Sequence, residues 1–332
     1  MRAVLSKTPG GPSELVLEEV PDPESGPRQV AVSVKACGVN YPDSLIIEDR
    51  YQFKPPRPFS PGGEVAGVVA STGSEVTQFK TGDRVIGWSV WGGMAERVIL
   101  EQEQCIPISD DMPFDEAAAF LTTYWTSYHA LTERGALAAG ETLLVLGAAG
   151  GVGLAAVELG RAMGARVIAA ASSTEKVNTA LQRGADAGIV YPRVLAGETD
   201  RKALSDEFKR VCGPEGAHVI YDGVGGDYSE AALRAIAWEG RFLVVGFPAG
   251  IPRLPLNLPL LKSCQIVGVF WAAWLKRSPQ AFHARTHELL ALYEKGLIKP
   301  LVSACFPLEE AADAIRYLAD RKAIGKVVVT IG

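Results

Sequence analysis

No apolar run in the chain is long enough to cross a bilayer, and nothing near its start resembles a secretory signal. A cytoplasmic protein is expected. No cluster of Lys or Arg stands out, and the formal net charge is −5. Neither nucleic acid nor a membrane surface is an expected partner. Close cysteine pairs are missing too. Cys37, Cys105, Cys212, Cys264 and Cys305 are scattered, which fits neither a disulfide framework nor a zinc knuckle. His283 and His287 stand four apart on an expected helix and share a face. Ala284 takes the place of a zinc protease's glutamate, however, and no third ligand is evident. His129 and His218 have no partner visible in sequence. Residues 123–129 lack the flanking glycines of a nucleophile elbow.

What is present is the stretch from Leu143 to Gly153. Leu143, Leu144, Val145 and Leu146 form an apolar run of strand length. Gly147, Ala148, Ala149, Gly150, Gly151, Val152 and Gly153 follow, and residues 154–162 read as a strong helix former with an apolar stripe. A second strand-like run, residues 166–171, comes at the spacing of a βαβ unit. Strand, glycine turn and helix in this order predict a dinucleotide fingerprint. Glycines permit a tight turn and close approach of a pyrophosphate. The helix N-terminus adds free N–H groups and a favourable dipole. Gly150, Gly151, Val152 and Gly153 are therefore expected to touch the cofactor, although small residues also serve plain helix-on-sheet packing.

An NAD site usually ends its second strand in Asp or Glu, about 20 residues past the glycines, to hold the ribose 2′-hydroxyl. Here Ala171, Ser172, Ser173 and Thr174 occupy that place. No carboxylate repels a 2′-phosphate, two hydroxyls can bond to one, and Lys176 adds positive charge. Tyr191 and Arg193 follow the strand-like residues 188–190 and are placed to close over the adenosine end. Lys176 also reads as a solvated lysine at a helix start, and Tyr191 as a surface aromatic. Together with the missing acid they favour NADPH over NADH.

At 332 residues, 48% hydrophobic and 21% charged, the chain suits a soluble enzyme of two domains. Residues 1 to about 120 read as short strands between Pro, Gly and Asp turns, the pattern of a small barrel. From Phe114 the pattern changes to alternating strand and helix, which predicts a doubly wound parallel sheet. Residues 219–222 form a strand ending in Gly223, Val224, Gly225 and Gly226, and residues 241–247 form another. Ligands of such a sheet lie beyond the carboxyl ends of its strands, which brings Gly226, Gly246 and Phe247 near the cofactor. The apolar residues 265–271 read as a strand, and helices are expected over 280–295 and 308–321. The expected organisation is a discontinuous catalytic domain, residues 1–123 and 265–332, with a nucleotide domain at 124–264.

Hydride transfer needs little acid–base help from a protein when the acceptor is electron-poor. Polar groups suited to it are Asn40, Tyr41, Asp43 and Tyr51. An unpaired asparagine amide can bond to a ribose hydroxyl or a carbonyl, and a tyrosine can donate to a developing oxyanion. Equally, Asn40 and Asp43 can cap turns and Tyr51 can pack in its loop.

Five short segments now carry a resemblance: residues 38–40, 61–69, 82–85, 148–153 and 325–328. With them the chain resembles the medium-chain dehydrogenase/reductases over nearly its whole length, in their zinc-free, zeta-crystallin-like quinone oxidoreductase branch. The resemblance implies a GroES-like β-barrel domain interrupted by a Rossmann NADPH-binding domain. Zinc-using relatives have Cys at Asn40 and His at Gly63, and a four-cysteine lobe absent here between Trp88 and Leu100, so no metal is expected. In the branch, positions matching Asn40, Gly150 to Val152, Lys176, Tyr191, Gly246, Phe247 and Phe270 lie at NADPH. Lys326, within the last of the five segments, joins the expected cofactor set. Two departures stand out: Gly147 replaces a usual Ala, and Leu45 stands where some members place a Tyr near the nicotinamide.

The expected activity is NADPH-dependent reduction of a quinone or related conjugated carbonyl, with Asn40 and Tyr51 in the catalytic site. An enoyl reductase, or a crystallin-like NADPH-binding protein without turnover, are the alternatives. Residues 265–271 would make an exposed sheet edge, and a homodimer joined through it is expected.

Overall fold

The computed structural model describes residues 1–332, the side chains of Lys276, Pro279 and Gln280 apart. The chain divides into two compact units, Met1–Thr122 with Pro300–Gly332 and Thr123–Lys299. In the first, β1 (Arg2–Ser6) pairs with β2 (Leu15–Glu19). A seven-stranded sheet holds β3 (Gln29–Val39), β4 (Glu64–Thr72), β5 (Arg84–Trp88), β6 (Arg97–Glu101), β7 (Cys105–Pro107), β14 (Val302–Pro307) and β15 (Lys326–Thr330).

The axis of this sheet is β3. Along one side it pairs with β4; along the other its first half meets β6 and its last residues meet β15. A strand enclosed in this way must be apolar almost throughout, which β3 is. Val30, Val32 and Val34 enter the core, and a register shift between Val34 and Ala36 brings Cys37 and Val39 into the same core. Helix α1 (Tyr41–Ile46) follows β3 directly, and α2 (Phe114–Ala118) packs its backbone on it. A Cβ on Gly38 would lie 2.0 Å from the Ala118 carbonyl, so only glycine fits there. Helix α11 (Ala311–Ala319) adds Ala311, Ala314 and Ile315 to the core at helical spacing.

The second unit is a parallel sheet of β8 (Thr142–Leu146), β9 (Arg166–Ala171), β10 (Ala187–Val190), β11 (Ala217–Asp222), β12 (Ile236–Val244) and β13 (Gln265–Gly268). Its order is β10-β9-β8-β11-β12-β13. Its α-helices are α3 (Leu121–His129), which begins two residues before the unit, α4 (Gly151–Ala162), α5 (Thr174–Gln182), α6 (Glu198–Cys212), α7 (Asp227–Leu233), α8 (Asn257–Lys262), α9 (Trp271–Arg277) and α10 (Pro279–Glu294). The strand order reverses between β8 and β11, which is where open sheets of this type bind ligands. Gly160 of α4 would drive a Cβ to 2.6 Å from Leu143, so this helix sits unusually close to β8. Leu154, Val157 and Leu159 are buried there, each contributing roughly 1.5–3 kcal/mol of apolar burial.

One expected boundary moves. Residues 265–268 belong to the nucleotide sheet, paired in register with Arg241 to Val244 of β12, and the chain returns to the barrel unit at Pro300, not at Gln265. An apolar strand pattern does not say which sheet will take it; the pairing decides. As expected, β13 lies at an edge, with Ile266 and Phe270 exposed. Trp271, by contrast, is buried within the unit and Trp274 half-buried, their rings 6.3 and 5.6 Å from that of Trp125.

Buried Glu158, on α4, fastens both ends of this unit. Its Oε2 accepts from the Tyr124 hydroxyl at 2.6 Å and the Lys299 N–H at 3.0 Å, and its Oε1 accepts from Arg183 at 2.9 Å. Burial pushes its pKa up, opposed by these bonds. Among the described residues, no helix is long and apolar enough to cross a membrane.

Candidate active site

The glycine turn forms where the sequence places it. Gly147 leaves β8 with φ +71°, a left-handed conformation that favours glycine over the alanine usual in the branch. The chain closes with Gly150 N–H on Gly147 O at 3.0 Å and enters α4 with Gly150 as N-cap. Gly153 packs against the turn itself: a Cβ there would lie 2.1 Å from Gly147 O. Gly150 is different. It is exposed, and a Cβ there would meet nothing closer than 3.5 Å. Thus Gly147 and Gly153 are needed for the fold, while Gly150 leaves open space above the first N–H groups of α4, which lack intrahelical partners. Ser127 braces the turn from beneath. Its hydroxyl donates to Val152 O at 2.7 Å and, its one hydrogen engaged, accepts from Tyr221 at 2.9 Å.

At the end of β9 no acid is present, as expected. Ser173 caps α5, its Oγ accepting from Lys176 N–H at 3.3 Å, and Ser172 and Lys176 are part-exposed beside it. Tyr191 is not a surface aromatic: its ring is buried against Tyr228, with centroids 4.9 Å apart. Beyond β11, the Asp222 carboxylate accepts from the N–H groups of Val224 and Gly225, each at 2.9 Å, and from the Ser229 hydroxyl. Burial raises its pKa against those bonds. Gly226 has φ +59° and donates to Gly250 O at 2.7 Å. Phe247 and Phe270, each 45% exposed, follow β12 and β13 at the same edge, and a Cβ on Gly246 would meet nothing closer than Pro248 Cδ at 4.0 Å. A cavity of about 550 Å³ lies elsewhere, lined by Lys209, Arg210, Arg234 and Lys262 beside the first residues of β11 and β12. Its bases stand at helix carboxyl ends, where they answer the helix dipoles.

In the barrel unit Asn40, Lys326, Glu64 and Asp43 converge. Lys326 is buried, and its ammonium donates to Asn40 Oδ1 at 2.6 Å, Val39 O at 3.1 Å and Glu64 Oε2 at 3.1 Å. All three of its N–H groups are engaged within the protein, so its ammonium braces the barrel unit. For Asn40 one reading is corrected, that its side chain is unpaired. Its amide is not unpaired; Nδ2 donates to Glu64 Oε2 at 3.0 Å and Gly38 O at 3.2 Å. Glu64 Oε1 takes the Thr122 N–H at 2.9 Å. Asp43 caps the turn into α1, accepting from Asn40 N–H at 2.7 Å and Gly62 N–H at 3.1 Å. Burial raises its pKa to about 6. Tyr51 is half-buried against the barrel core, its pKa raised by burial and by the charge of Asp43, so the hydroxyl keeps its proton at neutral pH.

Sequence reasoning did not single out Glu64 or Asp222 as site residues. The available signal was an acid opening or ending an apolar strand, which demands a buried partner.

A GroES-like barrel joined in one chain to a parallel sheet with this reversal and glycine turn defines a nucleotide-dependent oxidoreductase of the medium-chain type. Residues 26–110 match the family described as "Alcohol dehydrogenase GroES-like domain", and residues 151–291 the one described as "Zinc-binding dehydrogenase". The chain is 39% identical over 319 residues to quinone oxidoreductase-like protein 2 of Rattus norvegicus, covering 96% of this chain and 89% of that one. To quinone oxidoreductase of Homo sapiens it is 32% identical over 336 residues, covering 100% and 98%. Among solved structures, Escherichia coli quinone oxidoreductase complexed with NADPH matches with a TM-score of 0.90 at 27% identity, over 99% of this chain and 100% of that one. A mycobacterial protein complexed with NADPH matches with 0.91 at 28%, over the same shares. The chain belongs to the quinone oxidoreductase family of the medium-chain dehydrogenase/reductases.

Proposed function

We propose that the protein is an NADPH-dependent reductase that delivers hydride to a quinone or related conjugated carbonyl, independently of zinc. The observation that carries this reading is the end of β9, where Ser172, Ser173 and Lys176 replace the acid of an NAD site, next to a glycine turn with room above it. The residues present fit the cofactor. The N–H groups at the start of α4 suit a pyrophosphate, and the Lys176 ammonium and the serine hydroxyls suit a 2′-phosphate. Bound NADPH supplies a hydride from its nicotinamide C4. The chain's task is to place that ring and exclude competing chemistry, while Tyr51 holds a proton ready for a developing oxyanion.

Zinc does not fit the residues present. Asn40 and Glu64 are engaged with Lys326, and a side chain on Gly63 would meet Ser89 O at 2.8 Å. The open edge of β13, with exposed Ile266, supports a homodimer that continues the sheet, which light scattering at micromolar concentration reads directly.

The test is NADPH oxidation after exhaustive chelation, with quinones, enones and enoyl thioesters compared by kcat/KM. Quinones should lead, and chelation should change nothing. A strong preference for enoyl substrates transfers the assignment to enoyl reduction, and no turnover with any acceptor leaves a binding protein. NADPH should bind more tightly than NADH, and Lys176→Ala should weaken NADPH alone, by roughly 1.5–3 kcal/mol. Equal dissociation constants for the two cofactors in the unmodified protein would sink the cofactor assignment.

A further inference from the structure

The register Asp222 to Leu146 sets the last residues of β11 and β8 side by side, at the reversal of strand order. A sheet of this order is two mononucleotide-binding halves. The β8-β9-β10 half carries the glycine turn, Ser172 and Lys176, the groups that suit the pyrophosphate and the phosphorylated adenosine. The β11-β12-β13 half is left for the other nucleotide.

On that half the edge is made of two loops, residues 223–226 and 245–250, and both are built on Asp222. Its Oδ1 takes the N–H groups of Val224 and Gly225, and its Oδ2 takes the Ser229 hydroxyl, which ties the first loop to α7. Its main-chain carbonyl takes Val245 N–H at 3.0 Å and Gly246 N–H at 3.3 Å, which fixes the second. The loops then join each other through Gly226 N–H on Gly250 O at 2.7 Å and Ala249 N–H on Val224 O at 2.9 Å. They fit too closely for a side chain between them, since a Cβ on Gly225 would lie 2.5 Å from Gly250 O and 2.8 Å from the Cα of Phe247. The exposed phenyl of Phe247 is what this arrangement presents at the edge. Among the described residues, every group that touches the carboxylate is neutral. A buried charge without a counter-ion is expensive and is retained only where its hydrogen bonds are needed.

We propose that Asp222 is the positioning residue for the nicotinamide half of the cofactor: it fixes the two loops on which the ring is placed and leaves the adenosine half unaffected. The inference rests on NADPH being the cofactor. Asp222→Ala should lower kcat about a hundredfold, the scale of a small misplacement of the reacting groups. It should also weaken NADPH binding, measured by the fluorescence of the reduced nicotinamide, while 2′,5′-ADP affinity stays within about twofold. With NADPH deuterated on one face of C4, the variant should transfer from the wrong face more often than the unmodified protein, a change that plain loss of stability does not produce. Asp222→Asn keeps an acceptor for the two N–H groups and should recover kcat to within about tenfold of the unmodified protein.

If Asp222→Ala does not fold, Ser229→Ala serves, with a smaller loss of kcat and the same unchanged 2′,5′-ADP affinity. Unaltered kcat in the variants, or NADPH and 2′,5′-ADP affinity falling together, overturns the proposal. If the unmodified protein binds 2′,5′-ADP and NADPH no better than NADH, the cofactor assignment fails first, and the inference with it.

Discussion

Among the described residues the most deeply buried carboxylates are Glu64 in the barrel unit, at 0% exposure, and Asp222 in the nucleotide unit, at 1%, and they are held in opposite ways. Glu64 faces an ammonium, that of Lys326, which arrives from the far end of the sequence. Asp222 is surrounded by neutral donors from the seven residues that follow it. One fastens distant strands, β4 to β15; the other shapes the loop that begins where it stands. A buried ion pair is sensitive to loss of a partner, whereas a carboxylate in a local cradle of N–H groups tests loop geometry more than global stability.

Removing the cation breaks the comparison most severely. Lys326→Met leaves Glu64 buried and unpaired, and should lower stability to denaturant by about 3–5 kcal/mol. Adding Glu64→Gln should restore a substantial part, because a neutral amide there needs no counter-ion. A single variant as stable as the unmodified protein would show that the pair is not a fastening.

Asp43 sharpens the contrast, since it is buried and, among the described residues, accepts from two N–H groups without a salt bridge. Its folded pKa of about 6 exceeds the ordinary 3.8, so the folded state holds this proton more tightly than the unfolded chain does. Its contribution is therefore complete below about pH 4 and lost as pH rises through about 6, a swing of roughly 3 kcal/mol. Asp43→Asn should flatten the stability profile across that window in denaturation measured at stepped pH. A profile that keeps its slope would place the titration elsewhere.

Tyr51→Phe is the mildest change. A hydroquinone can take its protons from water, so quinone turnover should fall less than about tenfold, or 1.4 kcal/mol, with NADPH affinity unchanged. A loss of about a hundredfold in kcat toward quinones would make the hydroxyl the required donor.

The same contrast explains what could be read in the sequence. The glycine turn, the order of strands and helices and the missing acid after β9 are local in the chain, and the structure carries them as the residues imply. Asp222 is almost as legible: an acid closing an apolar strand before Gly223, Val224, Gly225 and Gly226. The Lys326–Glu64–Asn40 cluster is not, because its members meet only once β15 has been laid beside β3, and so Asn40 reads as an unpaired amide and Lys326 as a cofactor contact. Helix α6 was concealed by its polarity, its stripe of Leu204, Phe208 and Cys212 being one residue wide. The placement of residues 265–268 was decided by pairing with β12, which no local pattern encodes.

Glu158 has a consequence for how this architecture is put together. The polypeptide enters the nucleotide unit at Thr123 and leaves at Lys299, and the same carboxylate oxygen receives the Tyr124 hydroxyl at one crossing and the Lys299 N–H at the other. A single side chain thus draws the two ends of the insert together on the helix that carries its glycine turn. Units whose ends lie close are the ones that tolerate transplantation. The nucleotide unit has the form of a cassette, closed on itself at the point where it is spliced into its host.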